Sequence, residues 1–380
     1  MFAALWRGES AIRPVFPELP RPAAAATAEG FDVSAWFTKL QLAGVDRVSQ
    51  LAVAAADLAM RDAGAAGAAE ATRIGVYTGC GMGGAAALET AYRSNGRVSP
   101  LTVPAFMPNA PAAHVAMRHG VQGPVLTYSV ACASSAVAIG EAAKAIRAGE
   151  VDIAIAGGTE ALIVPGVVLA WQGMQTLANF APGEAARCCR PFAADRSGFA
   201  LGEGAAFLVL EREDAARARG ADRYAQLAGW GLSCDATHLT KPDAGGQQRA
   251  IHAALRLAGL APSEIGYCNA HGTATKIGDV VEWEALAAVW GARLADLRVS
   301  STKSMHGHLL GAAGALEAVI TVLALQRSEL PPNGPPSTPD PACPLNLVLE
   351  PGTRAPALRA AISSSFAFGG TNSALVFTRD

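Results

Sequence analysis

Aromatic side chains make up only 6% of this 380-residue chain and charged ones 16%, and each scarcity excludes a class of function. Thirty Lys and Arg against 32 Asp and Glu leave a net charge of −2, so no basic surplus exists to neutralise a phosphate backbone. Nucleic acid is not an expected partner. The seven cysteines (Cys80, Cys132, Cys188, Cys189, Cys234, Cys268, Cys343) are an odd number without a CxxC pair. That pattern excludes a disulfide framework and a thiolate zinc site, and it favours a reducing compartment. Apolar runs such as Val151–Gly157 and Ala312–Leu325 are too short to span a bilayer, so no membrane span is expected. The opening residues MFAALWRGESAIRPVF lack a basic region followed by an apolar one, so no secretory signal is read and the expected location is cytoplasmic.

What the chain does have is 51% hydrophobic residues and 40 glycines, enough for a large core with close helix–sheet contacts in two domains or one duplicated unit. Apolar residues recur at helical spacing from Val45 to Ala63. Strands are expected at Arg73–Thr78, Pro124–Ala131, Val151–Ala156 (closed by Gly157-Gly158) and Ala205–Glu211, with helices at Ser134–Ala148 and after Glu211 through Arg219. The alternation repeats after a seam near Arg219–Tyr224. Strands fall at Tyr224–Gly231, Ile265–Asn269, Arg298–Ser301, Ala360–Ser365 and Ser373–Phe377. Helices fall at Gln247–Ala258, Asp279–Val289 and Ala312–Leu325, with a Pro-rich connection at Pro331–Pro344. Such alternation indicates an α/β fold with a largely buried mixed or parallel sheet.

Four segments carry chemistry. In Tyr128-Ser129-Val130-Ala131-Cys132-Ala133-Ser134-Ser135-Ala136, a strand and a turn of small residues place Cys132 at a helix N-terminus, where the dipole favours a thiolate by about 0.3–1 kcal/mol. A buried cysteine packed as a small hydrophobe is the alternative. Asn269-Ala270-His271-Gly272-Thr273-Ala274-Thr275, with Asp279 and Glu282 following, sets a histidine and two hydroxyls on a loop after a strand; a structural loop histidine is the alternative. Ser300 to Gly314 carries Lys303, His306 and His308 before a Gly/Ala run. Lys303 among small apolar residues needs a carboxylate if buried, and Glu317 is the nearest candidate. Phe366-Ala367-Phe368-Gly369-Gly370-Thr371-Asn372 forms a backbone-exposing turn.

Taken in this order, the segments resemble those of the β-ketoacyl-ACP synthases, in particular the type II elongating branch with a Cys-His-His triad. Arg190-Pro191-Phe192 and Gly198 to Gly204 look like the family's RPF…GFxxGEGA stretch. The resemblance spans essentially the whole chain. It implies a thiolase-like fold, two duplicated α/β halves in a five-layer αβαβα sandwich, with residues 1–220 carrying the nucleophile and 221–380 both histidines. It also implies roles. Cys132 accepts the acyl group, and His271 and His308 stabilise the enolate of malonyl-ACP. The N–H groups of Cys132 and Phe368 hold the oxyanion. Lys303, paired with Glu317, orients the histidine loop. Phe368 gates an acyl pocket lined by Met82, Trp171 and Phe366, while Thr273 and Thr275 hold the phosphopantetheine arm. No metal or redox cofactor is implied, because substrates ride on the phosphopantetheine of an acyl carrier protein (ACP). The implied assembly is a homodimer, or a heterodimer with a related ketosynthase-like subunit, with the strand Val151–Ala156 near its interface.

Three departures stand out. Ala367 replaces the Gly before the gating Phe, which stiffens the gate or requires φ < 0. His306 stands where Thr is common, either as a titratable neighbour of His308 or as a surface-facing residue without a role. The family's opening VVVTGxG strand, central in the first sheet, has no counterpart here; the natural start is therefore expected upstream of Met1, since losing a central strand leaves two neighbours unpaired. Other readings fit less well. A non-catalytic chain-length-factor-like partner would lack the nucleophile, a thiolase would carry a second Cys near its C-terminus, and an initiating synthase would place Asn at position 308. The chain extended by this chemistry is a fatty acyl, polyketide or aryl polyene chain.

Overall fold

The structure, a computed structural model, describes residues 2–334 and 337–379. Two fully buried strands form the middle of its first sheet. Ile74–Gly79 (β1) is buried at all six positions and Ile153–Glu160 (β3) at all eight, as befits strands covered on both faces. Val125–Tyr128 (β2) and Gly204–Glu211 (β4) complete the order β2-β1-β3-β4. The first two pairings are parallel and the last is antiparallel. The second sheet consists of Gln226–Cys234 (β5), Tyr267–Asn269 (β6), Arg298–Ser300 (β7), Asn346–Leu347 (β8), Ala360–Phe366 (β9) and Thr371–Thr378 (β10), in the order β8-β7-β6-β9-β10-β5. Its stretch β7-β6-β9-β10 repeats the parallel, parallel, antiparallel pattern of the first sheet.

Helices cover these sheets in the expected layers. Arg47–Asp62 (α1), N-capped by Asp46, packs with Ala110–His119 (α2) on the outer face of the first sheet through Ala52, Val53, Ala56 and Val115. Ser134–Arg147 (α3) and Ala313–Arg327 (α6) form the central layer around Ile139, Ala142, Leu316 and Ile320. Ala244–Ala258 (α4) and Gly278–Trp290 (α5) close the far side through Ile251, Leu255 and Leu286. The result is the αβαβα sandwich implied by the sequence. Residues Leu310–Arg327 are long and apolar enough to cross a membrane, but 78% of that stretch is buried inside the protein.

Glycines set how closely the central layer approaches. A Cβ on Gly79 would come within 2.2 Å of the Ser135 nitrogen, and one on Gly158 within 2.5 Å of the Ser135 Cβ. The first turn of α3 therefore rests directly on the ends of β1 and β3. On the other sheet, a Cβ on Gly231 of β5 would lie 1.9 Å from the Ala250 carbonyl oxygen of α4.

Three expectations need correction. β3 does not close at Gly157-Gly158. Both glycines pair with β4, opposite Phe207 and Ala206, and the strand continues to Glu160. Being interior, β3 offers no interface; the exposed apolar edge is β2, with Val125 and Leu126 at 37% and 46% accessibility. Nor does the first sheet have a gap at its centre. Its four strands are contiguous, and the open backbone lies along the outer edge of β4, the position that β5 covers beside β10 in the second sheet. A groove of about 1490 Å³, lined by Leu58, Leu208, Leu210 and Val319 among others, runs along that edge. The opening residues do form a helix end, Phe2–Trp6, held by the Trp6 indole N–H on the Glu329 carbonyl at 3.1 Å. Met1 and residues 335 and 336 of the Pro-rich connection lie outside the described residues.

The β5–α4 contact predicts that Gly231→Ala destabilises the fold by about 1–3 kcal/mol through overpacking, read as a lower urea midpoint at unchanged m.

Candidate active site

Cys132 sits on an elbow. After β2 the chain turns through Ala131, whose φ of 48° is in the left-handed region, into a single 3-10 turn (Ala131–Ala133) that leads into α3. Ser134 holds this shape. Its hydroxyl donates to the Ala131 carbonyl (2.6 Å) and accepts the Val130 N–H (3.0 Å). Cys132 is thereby presented where β1 and β3 end.

His271 follows β6 on a loop fixed by Glu282, whose carboxylate accepts the N–H groups of His271 (2.8 Å) and Gly272 (2.7 Å). Asp279 accepts the Phe192 N–H at 2.7 Å and so ties Arg190-Pro191-Phe192 to α5. Lys303 is fully buried, and each of its contacts suits an ammonium donor. It donates to the Glu317 carboxylate and to the His271 carbonyl (2.6 Å), and faces the His271 Nδ1 at 3.4 Å. With Nδ1 turned to a donor, the His271 proton belongs on Nε2. At His308, Nδ1 accepts the Leu310 N–H (3.3 Å) and Nε2 lies 3.1 Å from the Cys132 Sγ. The Cys132 sulfur and one nitrogen from each histidine lie within 4.8 Å of one another. The three residues converge on a cavity of about 660 Å³ that Thr273, Thr275, Trp171, Phe366 and Phe368 also line.

Electrostatics follow from burial. Both histidines are held well below the ordinary imidazole range, first by desolvation and then by the Lys303 charge, so both are neutral. The Cys132 thiol does not show the depressed value expected of a helix N-terminus. Burial pushes it up to about 11, opposed by Lys303 and by the N–H groups of Phe368 and Cys132. Burial outweighs the dipole here. The sulfur and two imidazoles have ligand spacing for a cation, but the Lys303 ammonium beside His271 repels one, and the arrangement suits a thioester better.

The remaining expected residues divide. Trp171 stacks on Phe368 (ring centroids 6.1 Å apart) and meets Phe199 edge-on (5.5 Å), which in turn meets His308 (5.2 Å). Phe366 packs edge-on against His271 at 6.0 Å. Ala367 is absent from the residues with positive φ, so its Cβ is accommodated by a negative φ. Met82 does not line the cavity of Cys132, and its side chain is 43% exposed. His306 is neither at the surface nor titrating near neutrality. It is buried between the Gly307 carbonyl (2.7 Å) and the Thr302 hydroxyl (2.9 Å), and burial lowers it to about 3.

Sequence reasoning missed Asp235, Asn333 and Glu160. Asp235 accepts from the Asn372 amide (2.6 Å) and from the Asp243 N–H (3.1 Å), latching the Phe368 loop to the segment after β5. Asn333 bridges the Ser301 N–H and the Pro191 carbonyl, each at 2.8 Å. Each binds at least one group distant in sequence, so no local pattern marks it.

This fold and this cysteine–histidine–histidine convergence define a thiolase-like condensing enzyme. Residues 3–216 match the family described as "Beta-ketoacyl synthase, N-terminal domain" and residues 224–335 its C-terminal domain. The chain is 43% identical over 342 residues to Nodulation protein E of Rhizobium meliloti, covering 89% of this chain and 83% of that protein. It is 38% identical over 361 residues to 3-oxoacyl-[acyl-carrier-protein] synthase 2 of Staphylococcus aureus (93% and 89% covered). The solved ishigamide ketosynthase/chain length factor superposes with a TM-score of 0.91 at 33% identity, over 100% of this chain and 94% of that one. The chain belongs to the β-ketoacyl synthase family.

Removing Glu317 would strand the Lys303 charge, so Glu317→Ala is expected to cost about 3–5 kcal/mol in equilibrium unfolding.

Proposed function

We propose that this enzyme elongates an acyl chain by decarboxylative Claisen condensation of malonyl-ACP with an acyl group held on Cys132. The observation that carries this reading is the contact between the Cys132 Sγ and the His308 Nε2 at 3.1 Å, with His271 beside them. In the first half-reaction, the sulfur attacks the acyl-ACP thioester and the carrier's thiol leaves protonated. Malonyl-ACP then enters, and its thioester oxygen accepts hydrogen bonds from the Nε2–H groups of His271 and His308. Carbon dioxide departs, leaving an enolate that these two donors stabilise. The enolate carbon attacks the Cys132 thioester, the N–H groups of Cys132 and Phe368 hold the oxyanion, and the thiolate is released with 3-oxoacyl-ACP. The neutral state of both imidazoles supports this role, since a donor without net charge binds the enolate and still lets the carboxylate leave.

Exposed Arg21, Lys241 and Lys276 stand among the residues lining the cavity and suit an acidic carrier. The paired hydroxyls of Thr273 and Thr275, 3.1 Å apart, suit the amides of a phosphopantetheine arm. A dimer would form along the exposed edge of β2, with a second copy or with a related ketosynthase-like subunit. Retention of Cys132, His271, His308 and Lys303 favours the active half of such a pair over its non-catalytic half. The acyl chain is of fatty acyl, polyketide or aryl polyene type, and the enzyme works in the cytoplasm on carrier-bound substrates without a resident cofactor.

Intact-protein mass spectrometry after exposure to a panel of acyl-ACPs should show one acyl adduct, lost in Cys132→Ala, while that variant still releases carbon dioxide from malonyl-ACP. Absence of any adduct on the wild-type enzyme would remove the proposal. His308→Ala should lower malonyl-ACP decarboxylation by about 10²–10³-fold yet still acylate Cys132, measured by the same adduct.

A further inference from the structure

Three backbone N–H groups from two separate loops converge on one side chain at the end of β3. The Glu160 Oε2 accepts Gly81 at 2.8 Å and Gly311 at 3.0 Å, and Oε1 accepts Met82 at 3.1 Å. The carboxylate is fully buried, and no cation lies within ion-pair distance of it among the described residues. A lone buried carboxylate is costly: burial pushes Glu160 up to about 7, and the three backbone donors to its charged form oppose that shift only in part. The glycines are shaped to it. A Cβ on Gly81 would meet Oε2 at 2.7 Å, and a Cβ on Gly311 would meet Oε2 at 2.6 Å and the Gly81 nitrogen at 2.4 Å.

What Gly311 adjoins gives the contact its meaning. Leu310, with a φ of 43°, is the residue whose N–H donates to the His308 Nδ1. We propose that Glu160 is a positioning residue for the condensation: by anchoring the Leu310–Gly311 turn, it keeps the Leu310 N–H on Nδ1 and the His308 proton on Nε2, facing Cys132. Glu160 touches no reacting atom. It acts through one turn of backbone, and that turn selects the tautomer. A carboxamide keeps most of this anchor: with its oxygen in the Oε2 place it still accepts Gly81 and Gly311, and only the Met82 N–H meets an NH2, so the anchor is removed by truncating the side chain.

The test is Glu160→Ala in the full chain with ¹⁵N-labelled histidine. Wild-type spectra should show His308 as the Nε2–H tautomer. In the variant, the His308 signals should shift to a mixture of tautomers. Malonyl-ACP decarboxylation should fall about ten- to a hundredfold in kcat with little change in KM, while Cys132 still acylates. Glu160→Asp keeps the charge but falls short by a methylene, and should give the same mixture; it serves if the Ala variant does not fold. A lowered melting temperature with an unchanged tautomer and unchanged kcat would mean a merely structural residue and overturn the proposal. So would a wild-type spectrum showing His308 protonated on Nδ1, a measurement that needs no variant.

Discussion

The buried ammonium of Lys303 is the constraint around which this site is arranged. A cation in the core must give its protons to acceptors, and Lys303 finds the Glu317 carboxylate and the His271 carbonyl and turns to the His271 Nδ1. In doing so it holds the β6 loop against α6, fixes where one imidazole keeps its hydrogen, and adds a positive field to the burial that already holds both histidines neutral. The pair contributes little to net stability, because desolvation offsets most of the Coulomb gain. Its contribution is orientation. The same charge also pulls the Cys132 thiol down against burial, so one group acts on all three members of the triad.

Much of this was legible in the sequence. The helical period of 45–63 and the short apolar run within 73–78 announced α1 and β1. The Ala-rich run after Cys132 announced α3, because these patterns report burial directly. Cys132, His271, His308, Lys303 and Glu317 could be named because they stand in recognisable segments. Less legible was whatever depends on contacts across the chain. Gly157-Gly158 looked like a stop, and only the partner strand shows why the glycines are there: Gly157 lies against β4, and Gly158 against the first turn of α3. Met82 was expected in the acyl pocket from the family resemblance, yet its backbone N–H is held by Glu160 and its side chain is half exposed, outside the cavity of Cys132. His306 could be read as an active-site titrator or a surface residue, and is a buried strut.

Duplication explains how Cys132 and the two histidines meet. Two sheets with the same strand pattern flank a shared layer of helices, and the chemistry lies where the ends of β1 and β3 face the loops after β6 and β7. Neither half holds a complete site. The first contributes the sulfur, the second both imidazoles, and α6 contributes the carboxylate that balances Lys303.

The free edge of β2 stands one elbow away from the reactive sulfur, with Tyr128 and Cys132 only one turn of backbone apart. Any polypeptide that adds its own strand there would stiffen the hinge that aims the nucleophile. A partner seated on that edge would therefore bear on the same turn of backbone that carries Cys132.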